Sequence, residues 1–280
     1  GTQFKLILYT STINNAQNIS SQCFRRIDSL NQILSDYEIS SEISQLSASA
    51  GKGQKIKISS ELWTILKQSN FYAKKSDGAF DISIGPLSKL WRSMFRRSEI
   101  FNGVKINNAK AKTGFRKIKF HPFSKRVRLT QKGMRLDAGG IAKGFTVDEV
   151  VKIIRKNDIT QFLVDGGGDI YVGHPPPDQL GWQIKIAIEN TVGTQEEKMV
   201  SLKNTAIASS GDTYRFLEWE GKRYSHIIDP RTGYGVIDRK IVNVQANSCM
   251  KADAIASTLS VLNEQEKNQF IKKMKQVKVF

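Results

Sequence analysis

"GWQIKIAIE", residues 181–189, sets Trp182, Ile184, Ile186 and Ile188 in strict alternation with mostly polar neighbours. A period of two over a whole strand length predicts an antiparallel strand with one face on the core and one in water. A doubly wound parallel sheet, covered on both sides, would show continuous apolar runs instead. Working outward, strands dominate 160 to 245. "FKLILYT" (4–10) alternates in the same way, and residues 115 to 130 also read as strands. Helical spacing predicts helices over 15–35, with Ile19, Cys23, Ile27, Leu30 and Leu34 on one face, and over 139–156 and about 250–262. Another helix is predicted at "SSELWTILKQSNFYAKK" (59–75), with Ser60 as its cap and "SDG" (76–78) as its stop. A short helix and a terminal "VKVF" close the chain. Runs of strands with a few long helices define an α+β class, expected here as one domain over 1–280.

Composition narrows the function. The 280 residues are 39% hydrophobic, enough for a sizeable core, and no apolar run approaches the roughly 20 residues that cross a bilayer. The amino end carries no charged-then-apolar export signal. Cys23 and Cys249 lie far apart and outside any CxxC or Cys/His spacing, which argues against a zinc site or a disulfide framework and for two small buried residues. The formal charge of +17 concentrates in 89–97 and 110–129. Such a surface favours anionic partners, whether phosphorylated small molecules, acidic lipid headgroups or nucleic acid. No dedicated nucleic-acid binding is expected.

Two glycine-rich segments fail the standard nucleotide-binding patterns. "DGGGDIYVG" (165–173) has Tyr171 where the dinucleotide fingerprint requires glycine, and "GGIAKGF" (139–145) has the Walker loop's glycine spacing without its Gly-Lys-Ser/Thr ending. The second segment still opens a helix, where free amides, the helix dipole and Lys143 favour an anion; close packing is the competing reading. On the last long helix, Asp253 and Ser257 are four residues apart and therefore share a face, so two hard oxygen donors could form part of a magnesium shell. Dipole stabilisation by the aspartate and back-bonding by the serine are the plainer alternative. "RYSHIIDPRTG" (223–233) places His226, one of three histidines, in a turn; imidazole there is either a proton carrier or a polar loop residue.

Taken in order, "DGAFDISIGPLSKLW" (77–91), "RLDAGGIAKGFTVDEV" (135–150), "FLVDGGGDIYVG" (162–173), "AIASSGDTYRF" (206–216), "YSHIIDPRTG" (224–233) and "ADAIASTLSVL" (252–262) resemble the ApbE-like flavin transferases. "GTQFKLILYT" (1–10) and "LSDYEISSEISQLS" (34–47) look like that family's first strand and tyrosine-bearing segment, so the resemblance covers nearly the whole chain. It implies a T-fold-like core in two lobes around a cleft, and Mg²⁺-dependent transfer of FMN from FAD to a Thr or Ser of a target protein with a D-G-x-[ST]-G-A-[ST] type motif, releasing AMP. It also implies residue roles. Asp253, Ser257 and the backbone carbonyl of Gly140 would hold the metal. His226 would be the base, with Asp229 either orienting it or holding its turn. Tyr37, Asp81, Lys143, Ser209, Ser210, Gly211, Arg215, Ile227 and Thr232 would join His226 in contacting FAD, Lys143 through a phosphate oxygen. Family members commonly act outside the cytoplasmic membrane, so export is expected here. Two departures stand out: Ser257 replaces the threonine of many members, and the methionine that usually precedes the family's Gly-Thr start is absent ahead of Gly1. An FAD pyrophosphatase releasing FMN and AMP, and a non-catalytic flavin or polyanion binder, remain as alternatives.

Overall fold

A computed structural model describes residues 2–97, 102–189, 194–211, 216–219, 221–237 and 241–280. Along the chain these form β1 (Phe4–Leu8), α1 (Ile13–Leu34), α2 (Glu42–Ala48), β2 (Ile56–Lys57), α3 (Ser60–Lys75), α4 (Gly85–Arg97) and α5 (Gly103–Lys110). Next come β3 (Ile118–His121), β4 (Arg126–Leu129), α6 (Ala142–Lys156), β5 (Phe162–Gly166), β6 (Asp169–Val172), β7 (Trp182–Glu189) and β8 (Gln195–Leu202). The last are β9 (Thr205–Gly211), β10 (Phe216–Trp219), β11 (Lys222–Ser225), β12 (Ile241–Ala246), α7 (Cys249–Leu259), α8 (Glu264–Lys272) and β13 (Val277–Val279).

Six strands form the main sheet in the order β1-β5-β6-β9-β12-β13, every neighbouring pair antiparallel. The α+β reading therefore holds. β7 pairs with β8 as a separate antiparallel ribbon. Its inward residues Trp182, Ile184 and Ile186, with Val200 and Leu202, close over Leu163, Val172 and Ile207 of the main sheet. Each such buried side chain contributes about 1.5–3 kcal/mol relative to exposure, which is why the alternation in 181–189 fixes that face. The opposite face of the sheet carries α6 and α7 and joins them to α1 and α3 in the principal core. Both cysteines are buried and free, as composition suggests. No helix among the described residues is long and apolar enough to cross a membrane.

One cap differs from expectation. Ser59, not Ser60, caps α3, accepting from the Leu62 amide at 3.1 Å, while Ser60 is the first helical residue. Helix α7 has two caps. Ser248 accepts from Lys251, and Asp148, reaching across from α6, takes the amides of Cys249 and Met250 at 2.7 and 3.0 Å. A carboxylate at a helix N-terminus both fills orphan donors and faces the positive end of the dipole. Asp148→Ala should therefore destabilise the fold by about 1–2 kcal/mol, read in denaturant unfolding; an unchanged midpoint would refute the cap.

Candidate functional site

The site forms where α6 and α7 cross against β6. Gly144 makes the crossing possible: a Cβ there would stand 2.4 Å from the Cys249 carbonyl oxygen and 2.8 Å from Asp253 Cβ. At this close approach the Gly144 amide donates to Asp253 Oδ2 at 3.0 Å. Asp253 and Ser257 lie one turn apart on α7, as their spacing predicts. Asp253 is buried and Ser257 partly open. Gly140, in the turn leading into α6, packs on Ser257 so tightly that a Cβ on it would sit 3.0 Å from the hydroxyl oxygen. The Asp253 carboxylate, the Ser257 hydroxyl and the Gly140 backbone are thus brought to one place.

Sequence reasoning missed the fourth member, Asp169. Gly167 and Gly168, both at positive φ (71° and 93°), form the two-residue turn between β5 and β6, the backbone that short antiparallel connections require. "DGGGD" is therefore a hairpin turn that delivers Asp169 as the first residue of β6. Asp169 pairs with Ala208 in register, so its side chain shares the α6/α7 face with that core alanine. It is 1% exposed; one oxygen meets the Lys143 ammonium, and the other has no hydrogen-bond partner. Lys143 also stands 3.8 Å from Asp253 Oδ1.

Lys143 stands between two carboxylates, in contact with Asp169 and near Asp253. Burial would lower its pKa, but Asp253 and then Asp169 more than offset that and hold it protonated above its usual range. Burial, followed by the charge of Asp253, pushes the Asp169 carboxyl well above the usual carboxylate range. Two buried carboxylates beside one ammonium favour added positive charge, whether a shared proton or a cation, over an anion. The donors offered are all hard oxygens, the chemistry magnesium selects. Among the described residues no group of three or more His, Cys, Asp or Glu is placed to hold a metal. The expected ligand set needs no such group, because only Asp253 in it is of those types.

A second cluster carries Tyr37. Its ring is exposed, with the Arg92 guanidinium 4.5 Å from the ring centroid. Arg92 in turn donates to Asp36 at 2.7 Å and to Asp137 at 2.6 Å, and Ser88 donates to the same Asp137 oxygen. The other Asp137 oxygen accepts from the Gly139 amide at 2.9 Å, next to Gly140. Tyr37 is thereby tied to the Gly140 turn through Arg92 and Asp137. Arg92, within the basic run 89–97, is therefore compensated by Asp36 and Asp137 instead of standing free on the surface.

His226 follows β11 on an exposed bend. The turn after it is held by Asp229: its carboxylate accepts from the Arg231 amide at 2.8 Å and from the Arg231 side chain, which also reaches Glu266 of α8 at 2.6 Å. Of the two roles considered for Asp229, these bonds serve the turn. Thr232 caps its own turn, accepting from the Tyr234 amide at 3.2 Å, and Ile227 donates to Ser225 Oγ at 2.9 Å. Trp91 of α4 donates to the Gly233 carbonyl at 3.0 Å, so one helix supports both the His226 loop and the Tyr37 cluster.

Among the described residues, the remaining expected FAD contacts fall on the loop before α4 and on β9. Both Asp81 oxygens accept hydrogen bonds within the protein, from the Ser83 amide and hydroxyl at 2.8 and 2.7 Å and from the Phe115 amide at 2.8 Å, so its carboxylate braces a loop. Ser209 and Ser210, being neighbours on β9, point to opposite faces of the sheet. Ser210 bonds Ser260 at the end of α7 at 2.9 Å, on the side of the oxygen cluster, whereas Ser209 bonds Asn243, which reaches the Ala187 carbonyl of β7. Gly211 ends β9 opposite Ile241, and Arg215 lies outside the described residues. A groove of about 710 Å³ runs between α2, α4 and α5, with Lys89, Lys105, Lys112 and Arg135 on its walls; Asp253, Ser257, Asp169 and His226 do not line it.

An antiparallel sheet backed by two crossing helices, with a buried oxygen-donor cluster at the crossing, defines the class of protein, and comparison with known proteins places it. The ApbE family model matches residues 1–280, and the chain belongs to that family. It is 31% identical over 257 residues to the FAD:protein FMN transferase of Treponema pallidum (strain Nichols), an alignment covering 86% of this chain and 70% of that one. With the FAD:protein FMN transferase of Vibrio cholerae serotype O1 it shares 28% identity over 256 residues, 90% of this chain and 76% of the other. In fold it matches the flavin transferase ApbE from Vibrio cholerae with a TM-score of 0.86 at 24% identity, over 100% of this chain and 93% of that one. The ApbE protein from Thermotoga maritima gives a TM-score of 0.85 at 24% identity, over 100% and 91%.

Proposed function

We propose that this chain transfers FMN from FAD to a Thr or Ser hydroxyl of a target protein bearing a D-G-x-[ST]-G-A-[ST] type motif, releasing AMP. The observation that carries the reading is the oxygen cluster of Asp253, Ser257 and Gly140 at the α6/α7 crossing, in a chain whose relatives are named for this reaction. Asp253, Ser257 and the Gly140 carbonyl are the residues that would hold Mg²⁺, which when bound supplies Lewis-acid stabilisation of phosphoryl oxygens. Ser257 keeps the hydroxyl of a threonine ligand without the methyl that restricts its rotamer. The exposed Tyr37 ring, stiffened from below by Arg92, offers a stacking surface for an aromatic ring of FAD.

In the reaction, the acceptor oxygen forms a bond to the FMN phosphorus as the phosphoanhydride P–O bond breaks and AMP leaves with the electron pair. The acceptor proton goes to His226, whose imidazole suits that task near neutral pH. His226→Ala is expected to keep FAD binding and to slow transfer about 100-fold or more, measured as single-turnover AMP release. A wild-type rate would remove His226 from the mechanism.

The exposure of His226 also leaves water able to take the acceptor's place, so FAD hydrolysis is the second reading. Chromatography of FAD, FMN and AMP separates the two. With acceptor and Mg²⁺, transfer predicts AMP without matching free FMN, whereas equal FMN and AMP would identify a pyrophosphatase. Unconsumed FAD would contradict both. Export, the family's common setting, is the compartment proposed for this chemistry.

A further inference from the structure

We propose that Asp169 is a positioning residue: by holding the Lys143 ammonium toward the sheet, it keeps the Asp253 carboxylate open for a divalent cation. The inference rests on the metal reading of Asp253 given above. Lys143 lies between two acids, in direct contact with Asp169 and 3.8 Å from Asp253 Oδ1. That second distance is within reach of a small side-chain adjustment. If the contact with Asp169 is weakened, the ammonium's remaining anionic partner is Asp253, and an ammonium resting on that carboxylate competes with a metal for the same lone pairs. The fold spends heavily on this contact. Asp169 is 1% exposed, is delivered by a two-glycine turn, and carries a second oxygen with no hydrogen-bond partner. A buried carboxylate is costly, and an apolar residue could serve the sheet equally well at that position. Outer partners of metal ligands commonly act in this way, fixing the ligand's orientation and charge.

The test is Mn²⁺ binding without FAD, by titration calorimetry with electron paramagnetic resonance of the free ion as a check, on full-length protein whose fold is verified by circular dichroism. Asp169→Asn preserves shape and removes charge, and should weaken binding about tenfold or more. Lys143→Met in the Asp169→Asn background should restore most of that loss, because the competing ammonium is gone. A residue that merely supported the fold would give no such recovery. Lys143→Met alone should bind Mn²⁺ at least as tightly as the wild type, a reading that holds even if Asp169→Asn does not fold. Wild-type affinity in Asp169→Asn, no recovery in the double variant, or weakened binding in Lys143→Met would each overturn the proposal. If the wild type takes up no Mn²⁺, or Asp253→Ala binds it as well as the wild type, the metal reading itself falls, which is a distinguishable result.

Discussion

Asp253→Ala is expected to lower transfer at least about a thousandfold, since Lewis-acid stabilisation of a phosphoryl transition state is worth several kcal/mol and each ~1.4 kcal/mol is a factor of ten. The expectation comes from where Asp253 stands. Its carboxylate accepts from the Gly144 amide at the entrance of α6 and shares a helix face with Ser257. Its removal takes away the charged donor of the proposed ligand set and leaves a hydroxyl and a carbonyl, too little to hold a dication. It also leaves Lys143 paired with Asp169 alone. The variant should therefore remain folded, lack the rise in melting temperature that Mg²⁺ is expected to give the wild type, and show no response of its residual rate to added metal. A variant as active as the wild type, and still dependent on metal, would place the metal elsewhere.

Gly144→Ala is expected to have the largest effect on the fold itself. A methyl at this position meets the Cys249 carbonyl at 2.4 Å and Asp253 Cβ at 2.8 Å, both fixed parts of α7 rather than the ends of flexible side chains. The helices must separate, and overpacking against backbone costs about 3 kcal/mol or more. In a chain of this size that lowers the melting temperature by roughly 6–12 °C. The same displacement breaks the Gly144–Asp253 bond and moves both expected ligands away from Gly140, so activity should fall in the fraction that folds. A melting temperature within a degree or two of the wild type would show that the helices do not cross as closely as described.

What was legible in the sequence follows from how local each signal is. The alternation of Trp182, Ile184 and Ile186 is a property of one strand, and it survives because one face of that strand meets Leu163, Val172 and Ile207. The i, i+4 relation of Asp253 and Ser257 is equally local to α7. Helix α4 was not predicted; Gly85 and Pro86 occupy its first two positions, where the missing proline amide costs nothing. Asp169 and the true partners of Lys143 were not legible, because the cluster draws on α6, α7 and the β5–β6 turn, which only the tertiary fold brings together. A lysine at a helix entrance reads as an anion site until the acids opposite it are known. The Ser209/Ser210 placement could have been found, since successive residues in a strand must face opposite ways. The Asp36–Arg92–Asp137 bridge under Tyr37 could not, as it joins residues up to about a hundred positions apart.

The most direct test of the central claim is the intact mass of an acceptor domain bearing the D-G-x-[ST]-G-A-[ST] motif after incubation with this protein, FAD and Mg²⁺. The account predicts a gain equal to one FMN phosphoryl adduct, abolished by chelator, absent with Asp253→Ala, and lost when the acceptor Thr or Ser is replaced by Ala. An unmodified acceptor, with FAD intact or converted wholly to free FMN and AMP, would contradict it.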